Sequence, residues 1–381
     1  MSQPLAIAHL VLSLDMGGLE RLVIDLAREQ RAAGYDARIF CVWCKGVLAA
    51  QAQRHGIPLL EFGKERGFSP VLLLRMAGQL RRFRPDVLHT HNPVVHHYGV
   101  SAAILARVPA IVNTLHGQHG CQVAKTDRRL RRLYRCTLPW TGAVAMVSKE
   151  TKAHYEVEWG VPSRKSRVVF NGIDVERFSS RPTLPGSCLP ALRFGTVGRL
   201  VPVKDHVTLI DAFARVVSTW PQAELHIAGD GEERLHIEER VAALGLGKSV
   251  RLHGALQDIP GFLASLDVFV LSSLSEGLPV ALLEAMANGL PVVSTRVAGL
   301  PSVAPENDVA FYCPPSNPEA LAAQMSRMAQ ANLGAMGATA RSIVKRRFSI
   351  RQTANEYEQI YRELLGRSIS EIAPRRPSLH G

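Results

Sequence analysis

The sequence has no stretch of about 18 residues free of polar interruption, which excludes a conventional membrane-spanning helix. Cysteine is scarce: six in 381 residues, at Cys41, Cys44, Cys121, Cys136, Cys188 and Cys313. That is no disulfide framework; the scatter fits reduced thiols filling small apolar volumes in a cytoplasm. Cys41-Val-Trp-Cys44 spells C-x-x-C but ends a strand-like run, and no second pair completes a zinc site, so a structural role is expected. Aromatic residues are only 6% and no nucleic-acid-binding motif accompanies the basic residues, so nucleic acid is not an expected partner. Met1 to Leu14 lacks a basic region and a small-residue cleavage site, so no cleaved leader is expected.

Catalytic fingerprints are missing as well. There is no G-x-S-x-G nucleophile elbow and no H-E-x-x-H zinc site. Without a D-x-D dyad, a divalent metal bridging a diphosphate has no obvious anchor. Gly245-Leu-Gly247-Lys-Ser249 looks like the end of a P-loop, but Ala242 stands where the leading glycine belongs, which leaves a helix-stop turn. Gly229-Asp-Gly231 follows a strand yet lacks the third glycine of the dinucleotide fingerprint, so bound NAD is not supported.

What is present begins with charge. The chain carries a net +12, and residues 1–180 hold 25 Lys+Arg against 14 Asp+Glu while residues 181–381 hold 20 against 19. The excess of +11 therefore sits in the first half. Its densest piece, Lys125 to Arg135, places Arg128, Arg131, Arg132 and Arg135 on one helical face, with Leu130, Leu133 and Tyr134 opposite. Such a face is either simply solvated or meets anionic lipid headgroups or a lipid-linked phosphate acceptor.

Short apolar runs alternate with amphipathic helices through both halves, which argues parallel sheets covered on both faces. Strands are expected at Leu5–Leu12, Ala37–Trp43, Ile57–Phe62, Val87–Thr90, Ala110–Leu115 and Ala143–Val147. After a proline-rich stretch the pattern restarts with Phe194–Val197, Glu224–Ala228, a strand near Val250, Asp267–Leu271 and Pro291–Ser294. The implied organisation is a first domain over 1–178, a linker over 179–192, a second domain over 193–348, a helix over 349–366 and a frayed tail over 367–381. Two α/β domains facing across a cleft would bind ligand beyond the carboxyl ends of their strands.

Three loops at strand ends carry the chemistry. Ser13 to Gly18 follows the first strand and opens a helix, and its glycines would let backbone amides approach a phosphate or sugar. Arg199 and Lys204 follow Phe194–Val197, and two cations at a sheet mouth suit a diphosphate leaving group. Glu276 to Glu284 puts one carboxylate before a helix and another inside it, with free helix amides between them. Each could instead be an ordinary surface loop.

At these residues the chain resembles the retaining family 4 glycosyltransferases of the GT-B fold. The resemblance runs from about residue 7 to 365 through landmarks in order: Gly17-Gly18-Leu-Glu20, Asp86 to Asn92, Leu115-His-Gly117, Val147-Ser148, Asn171 to Asp174, Gly198 to Lys204, Ala228 to Gly231, and the E-x7-E of Glu276 and Glu284. It implies two Rossmann-like domains and a C-terminal helix that returns to the first domain. Arg199 and Lys204 would hold the donor diphosphate, Glu284 the ribose hydroxyls, and Glu276 with Gly277 and Leu278 the transferred sugar and phosphate. His116 would reach the sugar near the reacting centre, with Gly17-Gly18 beneath it. Val203 and Asp205 depart from the family's usual Glu and Gly. The resemblance also makes His89, His91, His96 and His97 a cleft-lining loop and leaves His119 either an acceptor contact or plain surface.

The expected activity is a metal-independent, retaining transfer from a nucleotide-diphosphate sugar to a lipid-linked or polysaccharide acceptor at the inner face of a bacterial membrane. An epimerase on the same fold, or a non-catalytic scaffold that binds membrane or a partner, are the alternatives. No cofactor or metal is expected.

Overall fold

The computed structural model describes residues 4–64, 69–117, 124–178, 192–297 and 299–366, with side chains of 124–127 excepted. The chain divides into two units, one made of residues up to Asn171 together with Ile350 onward, the other of Gly172–Ser349.

Unit 1 alternates strand and helix: β1 (Ala6–Val11), α1 (Gly18–Ala32), β2 (Asp36–Cys41), α2 (Ala49–Arg54), β3 (Leu59–Glu61), α3 (Pro70–Phe83), β4 (Val87–His91), α4 (Pro93–Ala106), β5 (Ala110–Leu115), α5 (Ala124–Thr137), β6 (Ala143–Met146), α6 (Lys149–Trp159) and β7 (Ser166–Val168). Its seven strands are all parallel in the order β3-β2-β1-β4-β5-β6-β7. Period-two alternation sends Ile7, Ile39 and Val87 to one face and Ala8, Leu10, Phe40 and Leu88 to the other. Both faces are covered, which is why these strands read as continuous apolar runs.

Unit 2 repeats the plan: β8 (Arg193–Val197), α7 (His206–Thr219), β9 (Glu224–Ala228), α8 (Arg234–Ala243), β10 (Val250–Gly254), α9 (Ile259–Ala264), β11 (Val268–Leu271), α10 (Val280–Ala287), β12 (Val292–Thr295), α11 (Leu300–Val303), β13 (Ala310–Cys313), α12 (Pro318–Ala329) and α13 (Leu333–Arg347). Its six strands are parallel in the order β10-β9-β8-β11-β12-β13. The last helix, α14 (Ile350–Leu365), belongs to unit 1, where Ile350, Tyr357, Ile360 and Tyr361 complete the core against α1.

Each sheet reverses its strand order once, between β1 and β4 and between β8 and β11, and such reversals open a crevice at the strands' carboxyl ends. The amino ends are pinned alike. Asp86 accepts from the Ala6 amide (2.9 Å), and buried Asp267 accepts from the Arg193 amide (2.9 Å) and its guanidinium (3.1 Å).

One boundary differs from the sequence reading. Unit 2 begins at Gly172, not after residue 178, because Ile173 bridges to Ser349, its amide bonds Phe348 O (2.9 Å), and Phe178 is buried. The chain therefore passes between units at Asn171–Gly172 and Ser349–Ile350, while the proline-rich stretch lies mostly outside the described residues. Among those residues, no helix is long and apolar enough to cross a membrane.

Candidate functional site

The unit 2 crevice is built from three stacked loops. After β8 the chain turns through Gly198 and Arg199 into a short 3-10 turn at Pro202–Lys204. Asp205, at a left-handed φ of 47°, then caps α7 by accepting from the Thr208 amide at 3.3 Å. The loop after β9 lies against this turn backbone to backbone: the Gly198 amide donates to Ala228 O (3.0 Å) and that of Leu200 to Asp230 O (2.9 Å). A Cβ at Gly229, whose φ is 152°, would stand 1.7 Å from Gly198 O. Ala228-Gly-Asp-Gly231 is thus a close-approach motif before it is anything else.

The loop after β11 is stitched to the other side. Leu274 N donates to Val203 O (2.9 Å), and Ser272 Oγ to Lys204 O (2.8 Å). Lys204 Nζ donates to Glu276 Oε1 at 2.5 Å, and Ser273 Oγ donates to the same oxygen at 2.7 Å. These side chains keep only 21% and 10% of their exposure, so the pair is partly desolvated yet reachable. The sequence reading treated Lys204 and Glu276 as separate contributors; the fold makes them one ion pair spanning the β8/β11 reversal. Arg199 lies exposed in the same loop after β8. Gly277 and Leu278 are buried just before α10, whose Pro279 cap offers no side chain to its first amides. Glu284 lies one turn inside α10 and is 6% exposed.

His206, at the start of α7, was passed over in the sequence. Burial first, then the neighbouring Lys204 charge, push its pKa down to about 4, so a neutral imidazole underlies the cation. A histidine directly after a capping aspartate was the available signal.

In unit 1, Gly17 is the extended N-cap of α1 (φ −173°), and the Glu20 carboxylate folds over it, 2.2 Å from where a Cβ would stand. The space a side chain at Gly17 would need is therefore taken by an acidic side chain of the same helix. His116 follows β5; its amide lies 3.4 Å from Asn92 Oδ1 and its Nε2 is 3.1 Å from His91 Nδ1.

The expectation of a histidine-bearing loop is corrected. His89 and His91 are β4 residues, His96 and His97 sit in α4, and His89, His91 and His96 are at most 2% exposed. Parallel pairing sets His9 of β1 beside His89, and period two adds His91 on the same face. Hydroxyls satisfy two of these rings: His89 contacts Tyr361 (2.6 Å) and Thr114 (2.7 Å), and His96 contacts Thr90 (2.7 Å) and Thr141 (2.9 Å). Burial pushes His9 to about 4, His96 to about 3, and His89 and His91 well below the ordinary histidine value. His119 lies outside the described residues.

The arginine face of α5 divides. Arg131 pairs with Glu158 (2.8 Å), and Arg135 caps the end of α6 by donating to Trp159 O (3.0 Å) and Glu158 O (3.1 Å). Arg128 and Arg132 remain exposed, and Leu133, expected on the buried side, is 41% exposed near Trp140 in sequence, itself 56% exposed.

Two family models match the chain: Glycosyltransferase Family 4 over residues 16–177 and Glycosyl transferases group 1 over 191–331. An Escherichia coli UDP-Gal:alpha-D-GlcNAc-diphosphoundecaprenol alpha-1,3-galactosyltransferase is 30% identical over 60% of this chain and 62% of its own length. A Bacillus anthracis N-acetyl-alpha-D-glucosaminyl L-malate synthase is 28% identical over 77% of this chain and 79% of its own. Among solved structures, Anabaena HepE in complex with UDP and glucose superposes with a TM-score of 0.81 at 20% identity, over 93% of this chain and 98% of that one. A Rickettsia africae glycosyltransferase gives 0.79, also at 20% identity, over 96% and 100%.

Proposed function

Since the chain belongs to the family 4 glycosyltransferases of the GT-B fold, we propose that it moves a sugar from a nucleotide-diphosphate sugar to a lipid-linked or saccharide acceptor, with retention of configuration and without a metal. The observation that carries this reading is the Lys204–Glu276 pair at the β8/β11 reversal, with Arg199 exposed in the same loop as Lys204. Lys204 and Arg199 bring positive charge to where a departing diphosphate gathers negative charge, and their placement precedes the reaction, so no reorganisation is needed. Glu276, held by Lys204 and Ser273, is left with acceptor capacity for a sugar hydroxyl. Glu284 inside α10 would take the ribose hydroxyls.

In the step itself, the bond between the anomeric carbon and the phosphate oxygen breaks while the acceptor oxygen bonds to that carbon from the same face. The acceptor's proton passes to the departing phosphate oxygen. No strong protein base is required, and the protein contributes position and charge stabilisation. The lipid-linked substrate named for the Escherichia coli relative supports an acceptor of that class. Exposed Arg128 and Arg132 with Leu133 and Trp140 suit an anionic bilayer surface, which would place the enzyme peripherally on the cytoplasmic face.

Nucleotide release from UDP-, GDP-, ADP- and dTDP-sugars, in chelator and with lipid-linked acceptor supplied, tests the reading. Release from one donor that is lost in Glu276→Ala, with the fold retained, is expected. Donor bound and isomerised without release would favour an epimerase, and activity in cells unchanged by Glu276→Ala would favour a scaffold.

A further inference from the structure

We propose that Gln30, His9 and His91 form a one-way hydrogen-bond wire that fixes His116 as its Nε2–H tautomer, so that its Nδ1 carries a lone pair. The links are continuous: Gln30 Oε1 to His9 Nε2 (2.7 Å), His9 Nδ1 to His91 Nε2 (3.1 Å), and His91 Nδ1 to His116 Nε2 (3.1 Å). Gln30 is 3% exposed, His9 0% and His91 2%, so no solvent reaches the inner links. The rings are near parallel along the wire, at 28° for His9 and His91 and 29° for His91 and His116.

Direction follows from proton counting. Burial keeps His9 and His91 neutral, and a neutral imidazole has one N–H and one lone pair. Each ring that donates on one side must therefore accept on the other. Gln30 Nε2 faces the Tyr361 hydroxyl of α14 (3.5 Å), which leaves Oε1 for His9. His9 then donates from Nε2 and accepts at Nδ1; His91 donates from Nε2 and accepts at Nδ1; His116 donates from Nε2. A reversed Gln30 amide would reverse every link.

A shared cation is the competing use of these nitrogens, since ligand atoms of His9, His89 and His91 lie within 4.8 Å of one another. His89, however, spends both nitrogens on the Tyr361 and Thr114 hydroxyls, and His9 spends Nε2 on Gln30. The hydrogen-bond assignment accounts for every one of these contacts.

Gln30, His9 and His91 are positioning residues here. Their consequence for turnover rests on the reading of His116 as the sugar-facing histidine; the tautomer itself does not. The test is two-bond nitrogen–proton correlation on the ¹⁵N-histidine-labelled full chain without substrate, with His116 assigned by loss of its signals in His116→Asn. Wild type is expected to show His116 as Nε2–H alone. Gln30→Leu should show both tautomers, and Gln30→Glu, whose ionised carboxylate only accepts, should restore the single one. At saturating donor, turnover of Gln30→Leu should fall several-fold with donor KM unchanged, and recover in Gln30→Glu. An Nδ1–H His116 in wild type, a His116 signal indifferent to both Gln30 variants, or metal copurifying on His9 and His91 would overturn the wire. If the spectra follow expectation but no nucleotide is ever released, the transferase reading fails and the wire stands.

Discussion

The two order reversals begin alike and end differently. At their amino ends, Asp86 and Asp267 pin the neighbouring strand through its backbone amide, the same solution used twice. At their carboxyl ends unit 1 joins β1 and β4 through neutral, buried histidines, whereas unit 2 joins the turn after β8 to the loop after β11 through a reachable ion pair. One topology therefore tolerates a neutral, desolvated join and a charged one. The strands supply the place, and the side chains at their ends supply the chemistry.

Acid should expose the contrast most strongly. His9, His89, His91 and His96 are neutral when folded, but the unfolded chain protonates near 6.5. Between that value and about 4 for His9, the unfolded state binds more protons, so stability is complete above 6.5 and drains as pH falls. Each ring costs at most about 1.4 kcal/mol per pH unit. Unit 2 has one comparably buried ring, His206. Hydrogen exchange at pH 7.5 and pH 5 should show unit 1 amides losing more protection than unit 2 amides; equal losses would break the comparison.

Next in size is Lys204→Ala, expected to lower nucleotide release by about 10²–10³-fold, the usual cost of deleting one charge-stabilising donor. Because Glu276 is mostly buried and keeps only Ser273 as donor, a modest fall in melting temperature is expected alongside. A large drop in stability with turnover preserved would make the pair a structural clasp. Gly229→Ala comes third: a Cβ clashing with Gly198 O at a φ of 152° should cost about 1–3 kcal/mol, read as a lowered urea midpoint. Smallest is the basic surface. Arg128→Glu and Arg132→Glu should each weaken binding to anionic vesicles by about 1 kcal/mol or slightly more, while Arg131→Glu should lose stability through Glu158.

Much of this was legible in the residues. Glu224–Ala228 and Ala110–Leu115 end where expected because glycine or proline closes them. β7 and β13 were missed: three- and four-residue strands are too short for alternation to register. α4 was hidden because so much of it is buried that no polar stripe marks its period. Arg199, Lys204 and Glu276 were singled out in loops after strands, and Glu284 in the helix that follows. That Lys204 and Glu276 bond each other was not, because the contact spans 72 residues and depends on β8 lying beside β11. The histidine cluster needed the same knowledge of register; His-x-His on a strand was the only local hint.

The return of α14 to unit 1 has a consequence for biosynthesis. Tyr357 and Tyr361, which bond Thr114 and His89, come from this last helix. During amino-to-carboxyl synthesis, every residue of unit 2 has been made by Ser349, while unit 1, begun first, still lacks Ile350–Leu365. Until then the sheet face that α1 and α14 share is only partly covered, and His89 and Thr114 lack their phenol partners. On the ribosome, the half that starts second is the one whose chain is first complete.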